Sequence, residues 1–525
     1  MTTFLIIILL VLALFGLPLF LVIGGIALLL GAQLGLDPAL FFVQSHSQLV
    51  DAPAFVSIPL FTFAGYLMAE SKTSERLVNL FESMLGWMPG GLTIQILVVC
   101  SFFTIFTGAS GVTIVALGTL LYPVLLKSRY PEEYSLGLLT ASGSLGLLLP
   151  PSLPLILYGV IAGRLVQSLG MELKINSLFW AGIIPGFLMI AILSLHGMWV
   201  SRNADTPRQP FSFARLGKAF WEAKWEAALP VIVLWLLFSG SVAIPEVALI
   251  TAAYLFIVEV FVYKDLKISD MSRVTTLSLK LVGSIFIILM SALALSDILI
   301  RQEVPDKLFL FLKPYITNKY MFLFVLNIFL LLVGCLLDIF SAILVVVPLI
   351  VPLSIKFGIH PVHLGIIFLA NLELGYMTPP VGLNLFISSL TFKKPVLKLY
   401  RVSIPFLGLL GIALILITYV PAISLWLPTA TGSIKPPKPG IMKTKDDDDD
   451  GGKKPPKLDL SFDGGDDDLG DDGEGDEGDD LDPPAKPRKR STKAPKTRPK
   501  ARPAKRQVVI PANQPVKRPA KRRSK

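Results

Sequence analysis

The sequence predicts an all-α membrane protein built as an inverted-topology repeat, each half carrying one broken hairpin and one broken helix. Three observations predict it: an apolar composition, apolar runs long enough to span a bilayer, and Pro and Gly interruptions that recur at a fixed offset. Of 525 residues, 53% are hydrophobic and only 16% charged, with a mean hydropathy of +0.66. That is too apolar for soluble domains of this length. Cys100 and Cys335 are the only cysteines and both sit in apolar runs, which excludes a disulfide framework or a cysteine-based metal site.

A spanning helix needs about 20 apolar residues, and runs of 10 to 14 more often belong to re-entrant or interfacial segments. The first run, Phe4 to Leu30, has no basic flank before it and no small-residue cleavage site after it, so it reads as retained membrane helix. It is either one tilted span or two short ones around Gly16 and Pro18. Phe55 to Ala69 is a shorter span. Leu178 to Val200, Ala227 to Ile244, Val247 to Tyr263, Leu281 to Ile300 and Val402 to Leu427 read as full-length spans. Four further runs are interrupted: Leu92 to Leu126 at Thr107 to Gly111, Leu136 to Ala162 at Gly146 to Pro151, Met321 to Ile355 at Asp338, and Leu364 to Leu390 at Thr378 to Pro380.

These breaks repeat. Pro123, Gly146, Pro150 and Pro151 recur as Pro352, Gly375, Pro379 and Pro380, all offset by 229 residues, and Ser142 falls on Asn371. Each half is then a broken hairpin, a polar connector and a helix interrupted by a Pro-Pro pair. Five candidate crossings separate the two Pro-Pro helices, an odd number that points the copies in opposite directions. Matched, interrupted segments in two inverted halves mark the binding site of a secondary transporter. A gene-duplicated channel is the alternative that the repeat alone leaves open.

Loop charge sets the orientation, counting Lys and Arg only. Seventeen lie on one side, from Lys72 and Arg76 to Lys398 and Arg401, against seven on the other: Arg164, Lys174, Arg301, Lys307, Lys313, Lys319 and Lys356. The first hairpin is therefore expected to open from the cytoplasm and the second from outside. A membrane domain over 1–434, with repeats at about 4–200 and 227–427, gives way to a charged tail over 435–525. That tail runs acidic over 446–482 and basic over 486–525 with Pro throughout, a composition that cannot bury a core and is expected to be disordered. It is expected to emerge outside the cell and to be dispensable for transport, and its block pattern suits either an anionic surface such as lipid or folding back on itself through opposite charges. The overall charge of +10 is segregated in this way and does not indicate a nucleic-acid partner.

Within hydrocarbon, non-helical backbone persists only where protein or a water-filled cavity surrounds it. Breaking a helix there exposes N-termini that hold anions and carbonyls that hold cations. The oxygens of Thr107, Ser110, Ser142, Asn371 and Thr378 suit a hard cation such as Na⁺. Asp338 and Glu373 are lone carboxylates in apolar context, the residues a membrane tolerates least without a pathway, relay or partner. Glu373 either faces the site, couples to protons or pairs with a basic neighbour. Gly146, Gly375 and the paired prolines also have a plain reading as kink and packing residues.

The segments IPLFTFAGYLMAE within Pro53 to Glu70, FTGASGVT (Phe106 to Thr113), SLGLLLPPSLPLILYGV (Ser144 to Val160) and NLELGYMTPPVGLNLF (Asn371 to Phe386) resemble the large membrane subunit of tripartite ATP-independent periplasmic (TRAP) transporters, over about Thr3 to Pro428. The resemblance implies an ion-transporter fold of elevator type, in which a transport domain with two re-entrant hairpins moves against a scaffold. It implies Na⁺-driven uptake of an organic acid across the bacterial inner membrane, with a periplasmic solute-binding protein and a small four-helix membrane subunit as partners. No cofactor beyond Na⁺ and no enzymatic activity are expected.

By motif, one site takes Gly108 and Ser110 with Ser142, Gly143 and Gly146, next to Pro150 and Pro151. The other takes Asp338 with Asn371, Gly375, Thr378, Pro379 and Pro380, and Asn384 in the same motif completes the set of solute- or cation-binding residues. Ser110, Ser142, Asn371 and Thr378 are the proposed Na⁺ ligands. Two features depart from the family pattern: Ala109 stands where the hairpin commonly has a second serine, and the charged tail has no counterpart. The rival reading from another class is a membrane scaffold or assembly protein that recruits partners through that tail.

Overall fold

The computed structural model describes residues 2–14, 16–168, 170–203 and 210–434, and the tail over 435–525 lies outside the described residues. The chain opens with α1 (Thr2–Leu14), α2 (Leu19–Gln33), α3 (Pro38–Val50), α4 (Ser57–Glu70) and α5 (Thr73–Leu85). The first hairpin is α6 (Gly91–Thr107) with α7 (Ser110–Lys127), followed by the broken pair α8 (Glu132–Ser142) and α9 (Leu153–Ser168). Next come α10 (Ile175–Asn203), α11 (Phe213–Glu222), α12 (Lys224–Ser239), α13 (Ile244–Ile257), α14 (Met271–Arg301) and α15 (Val304–Leu312). The second hairpin is α16 (Lys319–Leu336) with α17 (Ile339–Lys356), its broken pair is α18 (Pro361–Gly375) and α19 (Leu383–Phe392), and α20 (Val396–Tyr419) and α21 (Ala422–Ala430) end the described chain.

No strand occurs among the described residues. Among the described residues eight helices are long and apolar enough to cross a membrane, and the pair 132–148 and 153–167, bent by 43°, makes a ninth if counted as one span. All four interruptions read from the sequence appear as breaks between helices.

Of the two readings of the run from Phe4, the structure takes the second, two helices separated at Gly16 and Pro18. Two expected spans differ. Ala227 to Ile244 is not a full span: α12 stops at Ser239 because Gly240 adopts the left-handed conformation, and 16 residues rise only about 24 Å. Val402 to Leu427 is divided where Pro421 follows the last turn of α20 and starts α21.

The repeat is visible in the helix boundaries. α7 and α17 each have 18 residues and are offset at both ends by the same 229 residues as the prolines. Their packing is reciprocal. α7 lies against α19 of the other half while α17 lies against α9, and each hairpin's first arm packs on its own broken helix. Such exchange of arms is the contact pattern that two-fold related halves produce. It also fixes the four breaks relative to one another.

A polar cluster braces α5 against α12 and the segment that follows α13. Arg76 binds the carboxylates of Glu226, Glu259 (3.1 Å) and Asp265 (2.6 Å), and its guanidinium lies 3.8 Å from the centre of the Tyr263 ring. Both Glu side chains are fully buried, and Thr73 donates to Glu259 at 2.7 Å. Burial opposes the Arg76 charge, but the hydrogen bond to Asp265 and the charge of Glu226 outweigh it and raise the Arg76 pKa. A buried ion cluster of this kind holds geometry more than it adds net stability, yet losing one partner is costly.

Candidate functional site: the cavity between the hairpin tips

Each hairpin tip is built to stop one helix and start another within two residues. In the first, Gly108 ends α6 in the left-handed conformation (φ 62°), a position that leaves its carbonyl and the following N–H groups free of helix ladder. Ala109 then precedes α7 without a side-chain cap. In the second, Asp338 caps α17, accepting from Phe340 N and Ser341 N at 3.1 Å each and from Ser341 Oγ. The departure at Ala109 thus leaves the first helix start open, whereas the chain's own carboxylate closes the second.

The two tips face one cavity of about 690 Å³. Gly108, Ser110 and Asp338 line it together with Tyr66, Glu70 and Tyr376. Ser110 Oγ donates to Asn384 Oδ1 at 2.7 Å, and Asn384 Nδ2 reaches the Thr140 carbonyl at 3.4 Å. Thr140 in turn donates to Ser388 at 2.9 Å. The first tip is therefore tied by fully buried polar side chains to both broken helices.

The remaining sequence-named residues lie behind the tips. Gly143 has its carbonyl bonded to Thr104 Oγ1 at 2.8 Å, and a Cβ on Gly143 would meet Ile114 at 2.5 Å. Gly146 lies against Ser101, whose carbonyl would be 2.2 Å from an added Cβ, and Gly375 lies against Gly334, 2.6 Å from an added Cβ. These glycines let the broken segments touch the hairpin backbones. The Pro150–Pro151 and Pro379–Pro380 bonds are both cis. Ser142 Oγ donates to Leu139 O (3.3 Å) and Thr378 Oγ1 to Leu374 O (2.9 Å). Each hydroxyl spends its proton on its own helix and keeps lone pairs for a second partner.

Asn371 Nδ2 donates to Asn327 Oδ1 at 2.6 Å and Ile367 O at 2.8 Å, so its amide bonds run to α16 and to its own helix and not to Asp338. Its Oδ1 is buried and has no hydrogen-bond partner among the described residues, as is true of Ser144 Oγ and both oxygens of Glu373. Glu373 therefore pairs with no basic neighbour there. Orphaned oxygens beside a helix break fit a hard cation. No group of three or more His, Cys, Asp or Glu that could hold a metal ion occurs among the described residues.

Several residues of the site were not singled out from sequence. Tyr376, whose hydroxyl accepts from Ile339 N, and Tyr66 and Glu70 lie inside segments quoted above for their motif, but nothing local marks them as lining a cavity. Asn327 carried a usable signal, a lone amide in the apolar run of α16.

Residues 6–423 match the family described as tripartite ATP-independent periplasmic transporter, DctM component. The chain is 32% identical to the C4-dicarboxylate TRAP transporter large permease protein DctM of Rhodobacter capsulatus, over 72% of this chain and 87% of that one. It is 30% identical to the isethionate TRAP transporter permease protein DctMQ of Oleidesulfovibrio alaskensis, over 78% of this chain, and spans 64% of that protein's length. The crystal structure of the YdaH transporter of Alcanivorax borkumensis is similar in fold, with a TM-score of 0.54 at 14% identity, covering 72% of this chain and 87% of that one. A family match over nearly the whole membrane part, on a fold of many spans, places the chain in the bacterial inner membrane as a multi-pass protein. The chain belongs to the DctM component family, the large permeases of TRAP transporters.

Proposed function

We propose that this chain is the membrane pathway of a secondary importer that takes an organic acid from a periplasmic binding protein and moves it inward with Na⁺. The observation that carries the reading is the meeting of both hairpin tips, at Ser110 and Asp338, on one cavity. A cavity bounded by the tips of two reciprocally packed halves can be opened to one side of the membrane at a time by moving those halves against the rest. The hairpins act as re-entrant gates in an inverted repeat, and the motion is of elevator type. The C4-dicarboxylate and isethionate named for relatives support an organic acid as solute.

Na⁺ is the coupling ion in this reading, supplying positive charge beside the solute. Ser110, Ser142, Asn371 and Thr378 would hold it through oxygens whose protons or amide donors are already committed within the protein. The small four-helix subunit covers lipid-facing surface of the scaffold, and the binding protein docks on the periplasmic side. Transport in this reading needs only the family-like region, so a chain ending at Ile434 transports normally.

Reconstitution tests the reading. Labelled solute should enter proteoliposomes only when this chain, its small subunit and a loaded binding protein are all present. Uptake that needs none of this chain would abandon it in favour of a scaffold role.

A further inference from the structure

Among the proposed Na⁺ ligands, Asn371 differs from Ser110, Ser142 and Thr378 in having a side chain with two unlike ends. An amide presents a cation with either an oxygen or a pair of N–H donors, and a half-turn about its last bond exchanges them. Ser142, its counterpart in the first half, carries a hydroxyl and has no such choice. A ligand amide therefore needs something to fix which end faces the ion.

The nitrogen of Asn371 is identified by its partners. It lies 2.8 Å from the Ile367 carbonyl, which only accepts, and 2.6 Å from Asn327 Oδ1, so both amide protons are spent within the protein. Oδ1 is the atom left over, buried and without a hydrogen-bond partner among the described residues. The Ile367 bond stays within α18, whereas Asn327 reaches across from α16. Asn327 is itself held, because its amide meets Thr418 Oγ1 of α20 at 3.3 Å through Nδ2 and 3.4 Å through Oδ1. Thr418 is fully buried, and His363 Nε2 donates to its carbonyl at 3.3 Å. Three helices thus converge on one amide. At the 229-residue offset Asn327 falls on Val98 and Thr418 on Met189, both apolar, so this pair is absent from the half whose ligand is a hydroxyl.

We propose that Asn327 and Thr418 are positioning residues for the second Na⁺ site, which turn the Asn371 amide so that its oxygen and not its nitrogen meets the ion. This rests on Asn371 being a Na⁺ ligand, as proposed above, and adds two residues that act on the ion through it.

Thermal unfolding of the full chain in lipid nanodiscs, with Na⁺ exchanged for K⁺ at constant ionic strength, reads the Na⁺ concentration that half-maximally raises the midpoint. Asn327→Leu and Thr418→Val should each raise that concentration by about three- to tenfold, the worth of one buried hydrogen bond. Thr418→Ser keeps the hydroxyl and should leave it unchanged. Asn371→Leu removes the oxygen itself and should raise it at least as much as Asn327→Leu, and combining the two should add nothing further. A role in packing alone would lower the midpoint in K⁺ and Na⁺ alike without moving the half-saturating Na⁺. That result in Asn327→Leu, or equal shifts from Thr418→Ser and Thr418→Val, would overturn the proposal; if Asn327→Leu does not fold, the two Thr418 variants decide alone. An unchanged Na⁺ response in Asn371→Leu would also overturn it, taking Asn371 out of the site and leaving Na⁺ coupling to the other ligands. An unaltered chain that responds equally to Na⁺ and K⁺ would remove the Na⁺ reading and the proposal with it.

Discussion

The Ser110 hydroxyl donates to Asn384 Oδ1 at 2.7 Å across 274 residues of sequence, joining the first hairpin tip to the helix that follows the second break. Asn384 has no polar counterpart in the other half, where the 229-residue offset falls on Leu155. The bond is thus an asymmetric feature laid over a symmetric frame, and it involves one of the proposed Na⁺ ligands.

Breaking it should be felt in ion dependence. Ser110→Ala and Asn384→Leu should each raise the Na⁺ concentration for half-maximal uptake by about fivefold, the value of one buried hydrogen bond. Since both remove the same bond, the double variant should cost little more than either alone. Fully additive losses would mean the two residues act separately.

Gly375 sets how closely α18 approaches α16. A Cβ there would lie 2.6 Å from the Gly334 main chain, whereas one on Gly283 of α14 meets nothing within 4 Å. Gly375→Ala should destabilise by about 1–3 kcal/mol in thermal or denaturant unfolding, as overpacking against backbone does. Gly283→Ala should be neutral or stabilising by up to about 1 kcal/mol. Equal effects of the two would show that the close approach is not enforced.

Arg76 is expected to matter far more to folding than an arginine at the edge of a helix usually does. Arg76→Gln leaves Glu226 and Glu259 buried without a cation and should cost about 3–5 kcal/mol. Arg76→Lys should recover only part of this, because one ammonium cannot reach three carboxylates as a planar guanidinium does. Replacing Arg76 by Met together with Glu226→Gln and Glu259→Gln should restore most of the stability. Unfolding midpoints of the purified variants in one detergent decide the order.

The breaks were legible in the sequence because Pro and Gly act on the backbone where they stand. Pro123 and Pro352, Gly146 and Gly375, and the two Pro-Pro pairs marked the repeat, and the structure places α7 and α17 at the same offset. Asp338 was legible as a costly carboxylate and proves to cap α17 at the cavity. What stayed hidden depends on contacts between distant residues. Arg76 meets its acidic partners from 150 to 189 residues away, and it read only as a loop charge setting topology. Tyr376 meets Ile339 across a break that its own neighbourhood does not announce. The short α12 was misread because an apolar run continues through Gly240, and only the left-handed turn there shows that the helix does not.

The central claim is that helix breaks rich in oxygen couple solute entry to Na⁺. Its most direct measurement is uptake of labelled solute into proteoliposomes holding the chain, its small subunit and its binding protein, with the driving ion varied. An inward Na⁺ gradient should drive accumulation, a proton gradient in Na⁺-free buffer should give only background, and Thr378→Ala should raise the Na⁺ requirement. Accumulation driven equally by protons without Na⁺ would contradict the account and move the coupling role to the unpartnered carboxyl of Glu373.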